Sequence, residues 1–300
     1  MTYPVGYPLA SSGTPEIAAN GGGSRSTSPT KDLRSSSRLS PRKLAGIRGR
    51  LSARDLDVLA AVARFQVMSG EQLQRLFWPD GLPESRARLA RHGLARLSNL
   101  GVIAPLARRV GGARSGSEGL TFAVGLAGQR LLASEDSTRR VRSPHTPGER
   151  YMAHTLAVAQ LYVELMETQR WGIADVLGFE PEPRRPYLGR YAARMTLKPD
   201  AAIKLGVGEY EVSWLLELDM ATEALTTIEG KARRHLEYHR SGEARRTHGV
   251  SPRVAWIVPD EQRAEAIRRA LDRLPAEAER LFAVTTHADA VALLTAGVPV

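Results

Sequence analysis

An α+β chain in two parts is predicted: a three-helix segment closed by a β-hairpin, then an α/β region built on a mixed central sheet. Three observations carry this. Capped amphipathic segments fill roughly residues 52–99, two short apolar strands flank a Gly/Ser-rich loop at 102–124, and strands alternate with helices from about residue 149 onward. At 300 residues, with 42% hydrophobic and 25% charged side chains, the chain is long enough for two buried cores.

Residues 1–48 are read as a disordered basic tail rich in Ser, Gly, Pro and Arg, with no sustained apolar period. Such a tail is either a phosphate-touching arm or a solvated extension. Order begins at Ser52, a good N-cap for a helix with Leu56, Leu59 and Ala63 on its inner stripe. Ser69 opens a second, short helix carrying Leu73, Leu76 and Phe77, with Glu71 near its start. After the Pro79–Pro83 turn, a third helix runs from Glu84 to about Asn99 and ends at Gly101. VIAPLARR and LTFAV are the two strands around VGGARSGSEG, and GLAGQRLLAS is a closing helix. Three helices followed by a hairpin is the order of a winged helix-turn-helix, assigned to residues 49–135.

A charged linker, 136–148, leads into the α/β region, 149–300. The spacing predicts a long helix over about 149–170, a strand near 173–180, a hairpin (195–205 and 209–219) and a helix over 222–240. The strand RVAWIVP, a helix over 260–273, the strand LFAVTT and a short helix complete it.

Charge and composition narrow the function classes. The net charge is +10, distributed as +6 over residues 1–50, +6 over 51–142 and −2 over 143–300. A basic front and a neutral rear suit a nucleic-acid partner at the front, although 37 arginines against 5 lysines make any one arginine weak evidence. The absence of cysteine excludes disulfides, zinc–thiolate sites and cysteine nucleophiles. With no apolar run long enough to span a bilayer and no secretory signal, a cytoplasmic protein without membrane contact is expected. His235, His239 and His248 lack an HExxH-type pattern and predict no zinc site; GVG in GVGEY is a turn, since no GK[ST] follows.

At 100° per residue, Ala87, Ala90, Leu94, Leu97 and Gly101 form the inner stripe of the third helix. Ser85, Arg88, His92, Arg96 and Asn99 then face outward, with Arg86 and Arg91 on the flanks. A helix presenting these groups fits a major groove, where arginine bridges guanine O6 and N7; an ordinary solvated face is the plainer alternative. Arg108, Arg109 and Arg114 place basic charge on the hairpin, suited to phosphate contact.

In the rear half, KPDAAIKL and EYEVSWLLELD alternate so that Glu217 and Asp219 share one side of their strand. A four-residue turn pairing Gly206 with Glu211 sets Asp200 opposite Glu217. A two-residue turn leaves them diagonal, and a three-residue turn separates them. Three converging carboxylates, Asp200, Glu217 and Asp219, suit Mg²⁺ or Mn²⁺. Alternatively, Asp200 and Glu217 brace the strands by hydrogen bonds, Asp219 and Thr222 cap the next helix, and no cofactor is needed. His154 shares a stripe with Val158, Leu161 and Leu165 and reads as a core histidine. Leu225, Ile228, Ala232 and Leu236 form the stripe of the 222–240 helix, with Lys231 at its flank.

Pro199-Asp200 with Glu217-Leu218-Asp219 resembles the PD-(D/E)xK signature of restriction-endonuclease-like folds. With His154, LLELDMATEALTTIEGK and Tyr238, and behind a winged helix, the pattern over about residues 51–275 resembles the replication-relaxation family of plasmid and mobile-element proteins. The resemblance implies DNA binding in plasmid replication, relaxation or mobilisation, with a nuclease-like second domain. Asp219 stands where that motif expects lysine, and Lys231 is the displaced candidate, so the catalytic set would be Asp200, Glu217 and Lys231. The other reading is a non-catalytic regulator or relaxosome accessory with a degenerate nuclease-like, partner-binding domain. Expected partners are double-stranded DNA, replication or mobilisation proteins, and a second copy of the chain.

Overall fold

The computed structural model describes residues 39–106, 120–135, 141 and 146–296. The chain enters through α1 (Pro41–Arg48), capped by Ser40, whose hydroxyl accepts the Lys43 N–H. Here the predicted tail is too long at its C-terminal end. Pro41 sits in the first turn, where its missing N–H costs nothing, and Ile47 is buried.

Helix α2 (Ala53–Phe65) and helix α3 (Gly70–Phe77) each begin with a capping box, Ser52 with Asp55 and Ser69 with Gln72. The inner face of α2 is rotated from the expected stripe. Val58, Leu59, Val62 and Phe65 are buried, because the helix packs against several elements at once and its apolar face is wide. Between these helices lies β1 (Val67–Ser69), which the apolar pattern did not signal. Helix α4 (Pro83–Asn99) buries Ala90, Leu94 and Leu97 as expected. Strands β2 (Ile103–Pro105) and β3 (Thr121–Val124) pair antiparallel, and β1 adds to β3, giving the order β1-β3-β2. Helix α5 (Leu126–Glu135) follows.

Helix α6 (Glu149–Arg170) opens the rear half. Strand β4 (Asp175–Pro181) leads to a small hairpin of β5 (Arg185–Leu188) and β6 (Arg194–Leu197), then β7 (Ala201–Val207) and β8 (Tyr210–Leu218). Helices α7 (Leu225–Ser241) and α8 (Glu243–His248) cross over to β9 (Arg253–Val258). Helices α9 (Glu261–Leu271) and α10 (Glu277–Leu281) lead to β10 (Phe282–Thr286), and α11 (Ala290–Thr295) ends the described chain. The central sheet has the order β10-β9-β8-β7-β4, with β8, β9 and β10 parallel and β7 and β4 antiparallel. The fold is therefore mixed α and β around a mixed central sheet. Among the described residues no helix is long and apolar enough to cross a membrane.

The β7–β8 register pairs Gly206 with Glu211, as a four-residue turn would, but the ladder closes one pair further at Val207–Tyr210. The connection is thus the two residues Gly208 and Glu209, with Gly208 at φ 58°, a conformation glycine adopts without Cβ strain. This shorter turn keeps Asp200 in line with Glu217 and does not displace them to a diagonal.

One face of the central sheet, bearing Trp214, Leu216 and Leu218, packs on α6. That apolar cluster continues without a break into Val62, Leu73, Leu97 and Phe122 of the front half. The other face, with Leu215, Trp256 and Val258, packs on α7 and α9. At the junction the rings of Phe65, Tyr162 and Phe179 meet at centroid separations of 5.0–5.7 Å, and the Arg64 guanidinium lies over all three. Phe65→Ala is expected to cost about 3 kcal/mol or more and to lower a single thermal transition for both halves. Two separate transitions with the rear one unmoved would contradict the shared core.

Candidate functional site

Two polar constellations stand out, the outer face of α4 and the carboxylates around the start of β7 and the end of β8. On α4, Arg88, Arg91 and His92 are exposed, and Ser85 is half-buried. Two of the predicted contact residues have partners within the chain. The Arg96 guanidinium, partly exposed, lies 2.5 Å from Asp55 Oδ1 and donates to the Arg50 carbonyl at 3.3 Å. Asp55 is 3% exposed, and a carboxylate that deep requires a cationic partner. Burial pushes the Asp55 carboxyl upward, but hydrogen bonds from Arg96 and Ser52 outweigh it and hold the group below its ordinary value. Arg86 likewise donates to the Pro79 carbonyl at 2.9 Å, bracing the turn before α4. A groove of about 420 Å³ at the end of α4 is lined by Arg50, His92, Ala95, Arg96, Asn99 and Leu100. Arg42 and Lys43, assigned to the tail from sequence, and Arg50 are exposed on or just after α1. Arg108, Arg109 and Arg114 lie outside the described residues.

In the rear half, backbone bonds fix Asp200: its N–H donates to the Leu216 carbonyl at 2.9 Å, and its carbonyl accepts the Glu182 N–H at 2.8 Å. Its Oδ2 accepts the Leu218 N–H at 2.7 Å and lies 3.2 Å from His154 Nε2. His154 is therefore a carboxylate partner at the rim of the cluster, not a core histidine. Its hydrogen bond to Asp200 raises its pKa, against burial and the charge of Lys231, with Glu182 adding to the rise.

Glu217 and Asp219 sit on the α7/α9 side of β8, as the alternation predicts, and each is 3% exposed. Glu217 Oε1 is 2.8 Å from His235 Nε2, and Oε2 is 3.2 Å from Lys231 Nζ. Lys231 also lies 3.1 Å from Glu223 Oε1. Burial alone would lower the Lys231 ammonium; Glu217, Asp200 and Glu223 outweigh it and raise its pKa. Asp219 does not cap α7: the cap residue is Ala224, without a side-chain bond. Asp219 Oδ2 instead lies 2.5 Å from Arg263 Nε, while Arg263 Nη2 donates to the Glu223 carbonyl at 2.6 Å. Thr222 accepts from Arg150 at 2.6 Å.

The structure thus brings Asp200, Glu217 and Lys231 into one neighbourhood and assigns Asp219 to Arg263. Three carboxylates converging on one Mg²⁺ or Mn²⁺ do not fit this arrangement, because both Glu217 oxygens and Asp219 Oδ2 are engaged by cationic or imidazole groups. Among the described residues no group of three His, Asp or Glu side chains is arranged to hold a metal ion. The positive charges in the cluster are the Lys231 ammonium beside Glu217 and the Arg263 guanidinium beside Asp219.

Sequence reasoning missed His235, Glu223 and Arg263. His235 carried a usable signal, standing four residues after Lys231 on one helix face; Arg263, reached only through β9, carried none. With the ammonium 29% exposed, Lys231→Met is expected to destabilise the fold by about 3 kcal/mol, since it leaves the Glu217 carboxylate buried beside a neutral chain. Adding Glu217→Gln to that variant should recover part of the loss in urea unfolding. No recovery would show that the pair is not the source of the cost.

No curated protein matches the chain. The model of the replication-relaxation family matches residues 59–254, from within α2 to the start of β9, and so includes α4 and the whole carboxylate cluster except Arg263. On that match, which covers well over half of the sequence, the chain belongs to the replication-relaxation family.

Proposed function

We propose that the chain is a DNA-binding protein that acts in the replication, relaxation or mobilisation of plasmid or mobile-element DNA in the cytoplasm, gripping duplex DNA through a winged helix. The family membership supports the biological setting. The observation that carries the binding reading is the exposed Arg88–Arg91–His92 face of α4, behind two capped helices and ahead of the β2–β3 pair. In this reading α4 is the recognition helix, α2 and α3 hold it in place, and β2–β3 with the intervening loop is the wing. Arg42, Lys43 and Arg50 extend the basic surface for phosphate contact.

The rear region, read as restriction-endonuclease-like, serves here as a folded platform for partner binding. Its central carboxylates are compensated internally by Lys231 and Arg263, and His235 lies within hydrogen-bond distance of Glu217. A second reading, Mg²⁺- or Mn²⁺-dependent strand cleavage by Asp200, Glu217 and Lys231, is favoured by one observation, the 3.2 Å approach of Lys231 to Glu217 from a displaced position. Incubating supercoiled plasmid with either ion separates the two. Nicking by the native protein that disappears in Asp200→Ala/Glu217→Ala establishes cleavage, whereas intact plasmid with retained DNA binding leaves the platform reading.

Arg88→Ala/Arg91→Ala is expected to weaken duplex binding at least about tenfold. It should also reduce the salt slope of log K by about 1.8, two phosphate contacts' worth, with an unchanged melting temperature. Arg96→Ala is expected to lower the melting temperature, because it strips Asp55 of its partner. Wild-type affinity in the double variant would discard α4 as the contact face.

A further inference from the structure

Between residues 183 and 199 the sequence carries five basic residues, Arg184, Arg185, Arg190, Arg194 and Lys198, and no acidic one. This is the stretch that forms the β5–β6 hairpin, in a half of the chain whose net charge is −2. The two strands pair with each other and not with either larger sheet.

The inner face of the hairpin is clamped to α7. Tyr187 packs edge-on against Tyr238 at 5.5 Å and donates its hydroxyl to Glu237 at 3.1 Å. The approach is close enough that a Cβ on Gly189 would lie 2.8 Å from Glu237 Oε1. The outer face makes no such use of its side chains. Arg194 and Lys198 are exposed, and neither pairs with a carboxylate among the described residues. Arg234 of α7 is also exposed, close enough for its charge to act on Tyr187. Arg185 is bound to Glu180, and Arg184 is engaged as well.

The tip is unusual. Tyr191 is fully exposed, at 101%, and both Tyr191 (φ 58°) and Ala192 (φ 56°) hold the left-handed conformation that glycine would adopt more cheaply. Folding accounts for neither choice: the ring buries nothing and the backbone is strained. An exposed aromatic ring among unpaired cations is the arrangement that takes a nucleic-acid strand, the ring stacking on a base and the cations holding phosphates. A paired duplex hides its base faces, so an unpaired strand is the fitting occupant. The hairpin also rises directly from the carboxylate cluster, since its two stems are joined by the Glu182 N–H bond to the Asp200 carbonyl.

We propose that the β5–β6 hairpin is a contact element for unpaired DNA, with Tyr191 stacked on a base and Arg194, Lys198 and Arg234 on neighbouring phosphates. The proposal rests on the reading of the protein as acting on DNA, and requires neither the α4 face nor cleavage.

The test measures fluorescence anisotropy of the full chain with a short oligothymidylate and, separately, with a duplex, over a range of salt. Tyr191→Ala is expected to weaken oligothymidylate binding about fivefold or more, and Tyr191→Phe to preserve it. Arg194→Ala/Lys198→Ala should reduce the single-strand salt slope by about 1.4. Tyr191→Gly, which relieves the left-handed backbone, should lose binding with an equal or higher melting temperature, so that unfolding does not account for the loss. Wild-type strand affinity in Tyr191→Ala overturns the proposal, as does a change in oligomeric state in place of a change in DNA binding. Duplex binding without oligothymidylate binding by the native chain removes the hairpin element and leaves the α4 reading. The converse removes α4 and leaves the hairpin; binding to neither removes both.

Discussion

Helix α6 lies between the front helices and the central sheet, and its 22 residues are shared by both halves. From the front, Gln72 donates to the Leu156 carbonyl at 2.8 Å, and the Arg75 guanidinium grips Glu167 through two bonds at 2.8 and 2.6 Å. In return Arg170 donates to the last carbonyls of α3, those of Arg75 and Leu76. Bidentate pairs and helix-end carbonyls impose orientation as well as attraction. Beneath them the Phe65–Tyr162–Phe179 cluster supplies the apolar burial that sets the halves together. The position of α4 relative to the carboxylates follows from this packing, because α3 holds α4 on one side of α6 and His154 of α6 meets Asp200 on the other.

The carboxylate cluster illustrates how much of a charged interior is spent on charge balance. Glu217 and Asp219 are nearly inaccessible, and an isolated carboxylate at that depth would be prohibitively unfavourable. Each has acquired its own cation, Lys231 for Glu217 and Arg263 for Asp219, and His235 closes the remaining side of Glu217. The same geometry that makes the site resemble a catalytic constellation is thus sufficient to neutralise it. Convergence of acidic residues and a lysine is a statement about folding stability before it is one about chemistry.

What the sequence made legible was local or periodic. Ser52 and Ser69 announced their helices because a capping box is written within four residues, and Ala90, Leu94 and Leu97 announced the inner face of α4 because that helix is polar elsewhere. The Asp200–Glu217 alignment was narrowed to three registers because one hairpin turn sets it, but nothing in the spacing chose among them, and the two-residue turn observed keeps the pair in line where a diagonal was expected. The inner face of α2 was misassigned because a helix packed on several sides has no sharp stripe. Strand β5 escaped notice, and β6 was merged with β7 into one predicted strand over 195–205, because their outward positions, Pro186, Leu188, Arg194 and Thr196, are of mixed polarity and their Tyr187 and Leu197 are too few to show a period of two. Arg96 looked solvent-facing because nothing in the spacing tells that Asp55, 41 residues earlier, needs its charge. Arg263 was out of reach for the same reason: its partner Asp219 is 44 residues away.

These pairings change the meaning of the net charge. A total of +10 by itself attracts any polyanion. Yet Arg75, Arg96, Arg185 and Arg263 are engaged with Glu167, Asp55, Glu180 and Asp219, so they contribute little to an outside field. Cations left facing solvent include Arg88 and Arg91 on α4 and Arg194 and Lys198 on the β5–β6 hairpin, together with Arg233, Arg245, Arg269 and Arg280 on the rear helices. Interior pairing therefore removes part of the basic composition from the outside field and leaves the rest on the surface. On the reading proposed above, the α4 surface takes a paired stretch of DNA and the hairpin surface an unpaired one, the junction that any opening of a duplex creates.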